Sequence, residues 1–168
     1  MNIHYTIHTL PILRNEIKMY PDFKRERDKL IQEYVKPLRR FYLEFYEVEE
    51  ELTKIKSPGQ GDGLGGYVQE KNDQFNYLIE KKDKLRKSIV EYVQKNEKNY
   101  LEDLEFWNTR IETAEYYLSK MDTLDKKFIE DFYYNLSKKS CMERYNITNI
   151  KSLYRKADNI LKNLLEKQ

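Results

Sequence analysis

The sequence predicts an all-α protein in which a long helical hairpin or coiled-coil stem is followed by a C-terminal helix-turn-helix. Three observations support this fold class. Apolar residues recur at helical spacing along most of the chain, most helix breakers lie in one short segment, and short helical segments follow from about residue 122. Only five glycines and four prolines occur in 168 residues, which favours long helices.

The composition indicates a very polar but folded chain. Charged residues make up 36% and the mean hydropathy is −0.92. Fifteen tyrosines and seven phenylalanines nevertheless provide material for a core, so the composition is not that of a disordered chain. The length suits one domain or two small ones.

The first half of the stem shows a heptad pattern. Two seams of apolar residues spaced by seven run through it: Tyr34, Phe41, Val48 and Ile55 form one, and Ile31, Leu38, Phe45 and Leu52 form the other. Together the two seams place an apolar residue alternately three and four positions apart, which is typical of a packed helix pair. Pro21 predicts a helix start nearby, and Pro37 is expected to bend the helix or to mark its real beginning.

A glycine-rich segment, residues 57–66 (SPGQGDGLGG), is predicted to be a hinge between two helices. Gly61, Gly63 and Gly66 match the G-x-G-x-x-G fingerprint of dinucleotide sites. That motif requires a preceding strand, whereas a charged helical run comes before it here. We therefore expect no nucleotide and no other cofactor.

The second long helix is predicted from Tyr67 to Met121, with a possible break at residues 95–99 because asparagine is a poor helix former. Its seams are Tyr100, Trp107, Ala114 and Met121 on one side and Leu104, Ile111 and Leu118 on the other. Narrow apolar stripes on a polar chain bury little alone. Residues 1–121 are therefore expected to form a stem that joins two copies into a homodimer.

Residues 122–168 show the pattern of a helix-turn-helix domain. Candidate N-caps are Asp122, Thr123 or Asp125 for a first short helix, and Ser137 or Ser140 for a second. Asn146 suits the left-handed conformation of a tight turn, and Thr148 is predicted to cap a third, longer helix. Short helix, short helix, turn and longer helix is the order of that motif.

The third helix separates apolar from charged residues. At 100° per residue, one side carries Leu153, Ala157, Ile160, Leu161 and Leu164. Lys151, Arg155 and Lys162 fall opposite, flanked by Ser152 and Asn159. Residues 136–168 carry eight Lys and Arg against three Asp and Glu, a net charge of +5, so the rest of the chain carries −3. Such a basic end is typical of DNA-binding modules, although a merely solvated helix face also looks like this.

A resemblance to a known family rests on particular segments between Glu49 and Leu165. They are the glycine-rich SPGQGDGLGG between helical segments, the FIEDFYYNLS helix, and YNIT leading to LYRKADNIL. The chain resembles the ArpU/RinA-type regulators of phage late transcription, and residues 118–165 resemble the C-terminal helix-turn-helix of sigma factors. The resemblance implies an activator that binds double-stranded DNA at a phage or prophage promoter and acts there or with RNA polymerase.

The resemblance also implies a set of DNA-binding residues. Thr148 would cap the recognition helix, while Lys151, Ser152 and Arg155 would face the major groove with Asn149 at the tip. Lys156 and Asn159, together with Lys138 and Lys139 on the preceding helix, would meet phosphates. Arg155 is the best candidate for a base contact, since a guanidinium can reach guanine with two hydrogen bonds.

One departure from the common unit affects the register of this helix. Ile147 and Leu153 lie six positions apart, a longer spacing than the common unit has. The turn or the recognition helix is therefore expected to begin one residue late.

Catalysis and metal binding find little support in the sequence. His4 and His8 are four apart, but they lie in an N-terminus expected to fray, and no further ligand completes a site. Cys141, the only cysteine, is expected to be a core residue, and a lone cysteine without a signal peptide fits the cytoplasm. No apolar run is long enough to span a membrane.

We therefore expect a binding protein and not an enzyme. Two alternatives to a transcription regulator remain open. One is a small terminase-type DNA-packaging protein, which a ring-shaped oligomer would favour. The other is a coiled-coil interaction protein, which an absence of DNA binding at low salt would favour.

Overall fold

The computed structural model describes residues 4–56 and 65–167. Its elements are α1 (Leu10–Lys56), α2 (Gly65–Ser119), α3 (Thr123–Glu130), α4 (Lys138–Arg144) and α5 (Ile150–Glu166), with a π-helical segment, Asp131–Asn135, directly after α3. The described residues contain no strand, and the two long helices pack together. The all-α prediction is confirmed. The hinge predicted at 57–66 lies outside the described residues, except that Gly65 and Gly66 begin α2.

The chain divides into two compact units, each built from parts of both long helices. One unit comprises Met1–Lys29 and Asp103–Gln168, and the other comprises Leu30–Glu102. We call the first the terminal unit and the second the middle unit. The three short helices thus share a unit with the N-terminal part of α1 and the C-terminal part of α2.

The middle unit is held by a small apolar core between α1 and α2. Its buried residues are Val48, Leu52, Leu78 and Leu85, with Phe41, Phe45, Ile55, Phe75 and Ile79 packed around them. The Tyr34 ring stacks on the Tyr100 ring with centroids 3.9 Å apart. The predicted heptad residues of α1 therefore meet α2 of the same chain.

The terminal unit contains the larger core, to which all five helices contribute. Its buried members include Leu13 and Ile17 of α1, Tyr117 and Leu118 of α2, Phe128 and Ile129 of α3, Cys141 of α4, and the apolar stripe of α5. Cys141 is fully buried there as a free thiol, as the sequence predicted. Burial raises the pKa of that thiol, which keeps it protonated.

The N-terminal segment before α1 is packed against α2, which corrects the expectation that it frays. The backbone N–H of Tyr5 donates to Thr113 Oγ1 at 3.2 Å, and that of Ile7 donates to the Tyr117 hydroxyl at 2.8 Å. The His4 ring stacks on Tyr116 at 3.9 Å. These partners lie more than a hundred residues away, so no local pattern could predict them.

The helix boundaries predicted at Pro21, at Pro37 and at residues 95–99 are absent. Helix α1 begins at Leu10 and includes both Pro21 and Pro37, so neither proline starts a helix. Pro11 stands in its first turn, where no backbone N–H is needed. An interior proline costs about 3 kcal/mol, and a helix packed along so much of its length offsets that cost. Helix α2 likewise continues through residues 95–99, where Asn96 Nδ2 donates to the Tyr92 carbonyl at 2.8 Å.

The apolar seam of α2 that suggested a homodimer packs against other parts of the same chain. Ile111, Ala114 and Leu118 are buried, and the Trp107 ring lies 5.9 Å from the Phe23 ring of α1. These residues consequently provide no surface for a second copy. No helix in the described part of the chain is long and apolar enough to cross a membrane.

Candidate nucleic-acid interface

Two short helices, α3 and α4, precede α5, and a side chain caps the N-terminus of each. The Asp122 side chain accepts a hydrogen bond from the backbone N–H of Asp125 at 2.8 Å and caps α3. The Ser137 hydroxyl accepts one from the N–H of Ser140 at 3.1 Å and caps α4. Of the candidates named from the sequence, Asp122 and Ser137 are therefore the caps.

A buried carboxylate, Asp131, joins the π-helical segment to the end of α4. Its Oδ2 accepts hydrogen bonds from Arg144 Nη1 at 2.9 Å and from the Tyr145 hydroxyl at 2.7 Å. Asn135 Nδ2 donates to its Oδ1 at 3.4 Å. Burial alone would raise the pKa of this carboxyl, but the three hydrogen bonds outweigh it and hold the pKa below its ordinary value. Asp131 is thus an ionised anchor for the turn that follows α4.

That turn is a Schellman motif with asparagine at its left-handed position. Asn146 has φ of 52°, as the sequence predicted. The N–H of Ile147 donates to the Met142 carbonyl at 2.9 Å, and the N–H of Asn146 reaches the Glu143 carbonyl at 3.4 Å. Ile147 and Met142 both pack against the terminal unit's core. These bonds and contacts fix the direction in which the chain leaves α4.

The cap of α5 is Asn149 and not Thr148, which corrects the predicted cap. Asn149 is extended (φ −122°, ψ 127°) and its Oδ1 accepts from the N–H of Lys151 at 2.7 Å. Helix α5 accordingly begins one residue later than a Thr148 cap would give, in agreement with the long spacing from Ile147 to Leu153. The Asn149 oxygen is therefore already bonded at the helix end.

Helix α5 buries its apolar stripe and exposes the opposite side. Leu153, Ala157, Ile160, Leu161 and Leu164 are all buried, as the wheel predicted. Lys151, Ser152, Arg155, Asn159 and Lys162 are all exposed. Lys151, Arg155, Asn159 and Lys162 line one shallow surface groove, together with Ile150, Tyr154 and Asp158. We call this surface the outer face of α5.

Of the two predicted lysines on α4, only Lys139 is exposed without a described protein contact of its ammonium group. Lys139 lines a surface pocket with Thr148 at the turn before α5. Lys138 instead donates to the Phe132 carbonyl, and its Nζ lies 3.4 Å from the centre of the Phe132 ring. Burial lowers the pKa of Lys138. Its ammonium group is therefore already engaged by the protein.

Lys156 lies outside the groove of the outer face and contacts aromatic rings of α3 and of the turn after α4. Its ammonium lies 4.8 Å from the centre of the Phe128 ring and 5.4 Å from that of Tyr145. The side chain remains exposed, so its charge stays accessible while its stem covers aromatic carbon. Tyr145 itself donates its hydroxyl to Asp131 and is a structural residue.

The sequence-based site missed a contact between α5 and α1. Arg14 donates from Nε at 3.0 Å and from Nη2 at 2.9 Å to Asp158 Oδ1. The only sequence signal was a single acid, Asp158, beside the basic outer face of α5. A helical wheel places that acid but cannot name a partner 144 residues away.

The outer face of α5 offers cations and hydrogen-bond donors at helical spacing. Such an arrangement can bind phosphates and can reach the edges of bases in a major groove. Among the described residues, no group of three or more His, Cys, Asp or Glu is placed to hold a metal ion. No family model, no curated protein and no solved structure matches this chain.

Proposed function

We propose that the protein is a sequence-specific DNA-binding regulator of phage or prophage genes, with α5 as its recognition helix. The observation that carries the proposal is the division of α5 into two sides. One side is fully used by the core, while Lys151, Arg155 and Lys162 remain exposed on the other. A helix anchored along one side and basic on the other can enter a major groove without disturbing the fold.

The turn before α5 supports the same orientation. Helix-turn-helix proteins direct the N-terminal part of the second helix at the bases and place the preceding helix across the backbone. Here Lys139 and Thr148 lie together beside the start of α5. Lys139 would meet a phosphate next to the groove, and the N-terminal half of α5 would lie inside it.

The side chains have different tasks in this proposal. Arg155 reads a base, because its planar guanidinium can form two hydrogen bonds to guanine. Ser152 and Asn159 flank it and supply further hydrogen bonds. Lys151, Lys139 and Lys156 neutralise phosphates and set the register of the protein on the duplex. Lys138 is engaged by Phe132 and Asn149 by its own helix as a cap, so the proposal assigns neither of them a DNA contact.

The biological setting is proposed from the resemblance to ArpU/RinA-type regulators alone. It comprises activation at a promoter in the cytoplasm, with RNA polymerase as a further partner. We retain a homodimer as part of the proposal, because paired helix-turn-helix units commonly bind two half-sites. Its contacts would have to come from surfaces other than the buried seam of α2. The proposal assigns binding to α5 and no catalytic step.

The decisive experiment measures DNA affinity of the full chain against salt. Bound fragments are first selected from a random duplex library, and variants are then compared on the selected and unselected duplexes. Arg155→Ala should weaken specific binding by about 1–3 kcal/mol and relax sequence preference. Lys151→Ala should weaken binding to every duplex and lower the salt slope by about one unit.

Two controls separate contact from folding and from net charge. Leu153→Ala removes a buried side chain, so it should lower stability by about 2–5 kcal/mol, and binding only as a consequence. Lys87→Ala removes one exposed cation from α2 in the middle unit and should leave DNA affinity unchanged. If the Arg155 and Lys151 variants bind the selected DNA as the parent does, α5 is only a core helix and the proposal fails.

A further inference from the structure

A strip of α1 lies beside the outer face of α5 and carries positive charge. Arg14 is bonded to Asp158 through two of its nitrogens, yet the Arg14 side chain remains 41% exposed. Both bonds go to one oxygen of Asp158. A guanidinium has five N–H donors, so it can hold this carboxylate and still donate to a second anion.

Asp158 would oppose DNA binding without this partner. It lines the same groove as Lys151, Arg155 and Lys162. A free carboxylate there would repel the phosphates that those cations attract. Arg14 cancels the charge of Asp158 and keeps further N–H donors exposed beside the same groove.

Lys18 extends the strip by one helical turn. It lies four residues after Arg14 on α1, so the two side chains share one side of that helix. Lys18 is exposed. Its charge also contributes to the lowered pKa of Lys138, after the larger effect of burial. Lys18 therefore adds a second exposed cation to the side of α1 that carries Arg14.

We infer that Arg14 and Lys18 form a second DNA contact, which binds the phosphate backbone beside the groove that α5 enters. The inference rests on the proposed function and names a surface that the pattern of residues 122–168 does not contain. The ligand is the sugar-phosphate backbone and not a base, because Arg14 and Lys18 lie on a helix beside α5, joined to it through the Arg14–Asp158 pair. The contact positions the protein on the duplex and carries no sequence preference of its own.

The test compares Arg14→Gln, Lys18→Gln and Asp158→Asn in salt titrations of the full chain with a labelled duplex of mixed sequence. Each lost phosphate contact should lower the salt slope by about one unit and weaken binding roughly 8-fold at about 0.1 M salt. Arg14→Gln and Lys18→Gln should both show this loss. Lys87→Gln makes the same charge change in the middle unit and is the matched control, with no effect expected.

Asp158→Asn distinguishes a DNA contact from a merely structural ion pair. The substitution breaks the same pair as Arg14→Gln but removes the carboxylate and leaves the guanidinium free for DNA, so binding should tighten. Arg14→Gln made in the Asp158→Asn background should still weaken binding if Arg14 meets a phosphate, and should have no effect if Arg14 only neutralises Asp158. A structural pair would instead make both variants weaker. Equal weakening by Arg14→Gln and Asp158→Asn, or a Lys18→Gln variant indistinguishable from Lys87→Gln, would overturn the inference.

The outcome also separates this inference from the proposed function. If Arg155→Ala and Lys151→Ala lose affinity while the α1 variants behave like the control, the recognition helix stands and the second contact is wrong. If none of these variants differs from the parent, the proposed function itself is wrong.

Discussion

Replacing Asp131 tests whether a single carboxylate holds the turn that leads into α5. Asp131 is only 4% exposed and accepts hydrogen bonds from Arg144, Tyr145 and Asn135. Asp131→Ala removes the acceptor and leaves the Tyr145 hydroxyl without this partner. We expect the terminal unit to lose stability and the end of α4 to loosen.

The size of the loss can be worked out bond by bond. The 2.7 Å bond from the Tyr145 hydroxyl to a charged acceptor contributes about 1.5–3 kcal/mol. The Arg144 side chain is 52% exposed, so its ion pair is discounted to about 0–1 kcal/mol. The 3.4 Å contact from Asn135 adds little. Asp131→Ala should therefore cost about 1.5–4 kcal/mol, and Arg144→Ala no more than about 1 kcal/mol.

The same carboxylate gives stability a predicted pH dependence. Its folded pKa lies below the ordinary value, so its contribution is present above the unfolded pKa and is lost as the pH falls through the folded pKa. Asp131→Asn keeps the shape and removes the charge. The stability difference between parent and Asp131→Asn should be full above about pH 5 and should shrink below about pH 4.

The measurement uses Trp107, the only tryptophan of the chain, which packs against Phe23 in the same unit as Asp131. Urea unfolding followed by its fluorescence therefore reports on the terminal unit. The reasoning is refuted if Asp131→Ala is no less stable than Arg144→Ala, or if the gap between parent and Asp131→Asn does not change with pH.

Three further predictions follow from the turn and from the assembly. Asn149→Ala should cost about 1 kcal/mol of stability as a lost cap, and Thr148→Ala less than about 0.5 kcal/mol, in the same urea assay; the reverse order would restore Thr148 as the cap. Asn146→Ala should cost about 1 kcal/mol because its φ is positive, whereas Asn146→Gly should be nearly neutral; equal losses would contradict this. Light scattering should give the mass of a dimer, and a monomer mass at every concentration would remove the homodimer from the proposal.

The parts of the fold that could be predicted are those specified by neighbouring residues. The apolar stripe of α5, the left-handed Asn146 and the caps Asp122 and Ser137 depend on contacts within a few positions of each other. Periodicity therefore places the stripe and turn chemistry places Asn146, whereas each cap could only be narrowed to two or three neighbouring candidates.

The features that could not be predicted depend on residues far apart in the sequence. Glu16 is buried and pairs with Arg110, whose Nη2 lies 2.5 Å from Glu16 Oε1. An acid within the apolar side of α1 was the only available signal. The engagement of Lys138 was missed for a different reason. Its main partner, Phe132, is only six residues away, but the π-helical segment that contains Phe132 brings the ring under the ammonium group only after folding.

The register of α5 links these structural details to the proposed function. Each residue rotates a helix by 100°, so a shift of one position would turn Arg155 by that angle away from its place on the outer face. Leu153 is fully buried, and Ile147 packs against the same core from the turn. Ile147 and Leu153 are six positions apart. The left-handed Asn146 and the extended Asn149 shape the turn so that the side chains of Ile147 and Leu153 both reach that core. The residues of the turn therefore determine which side chains of α5 are presented to DNA, although they need not touch it.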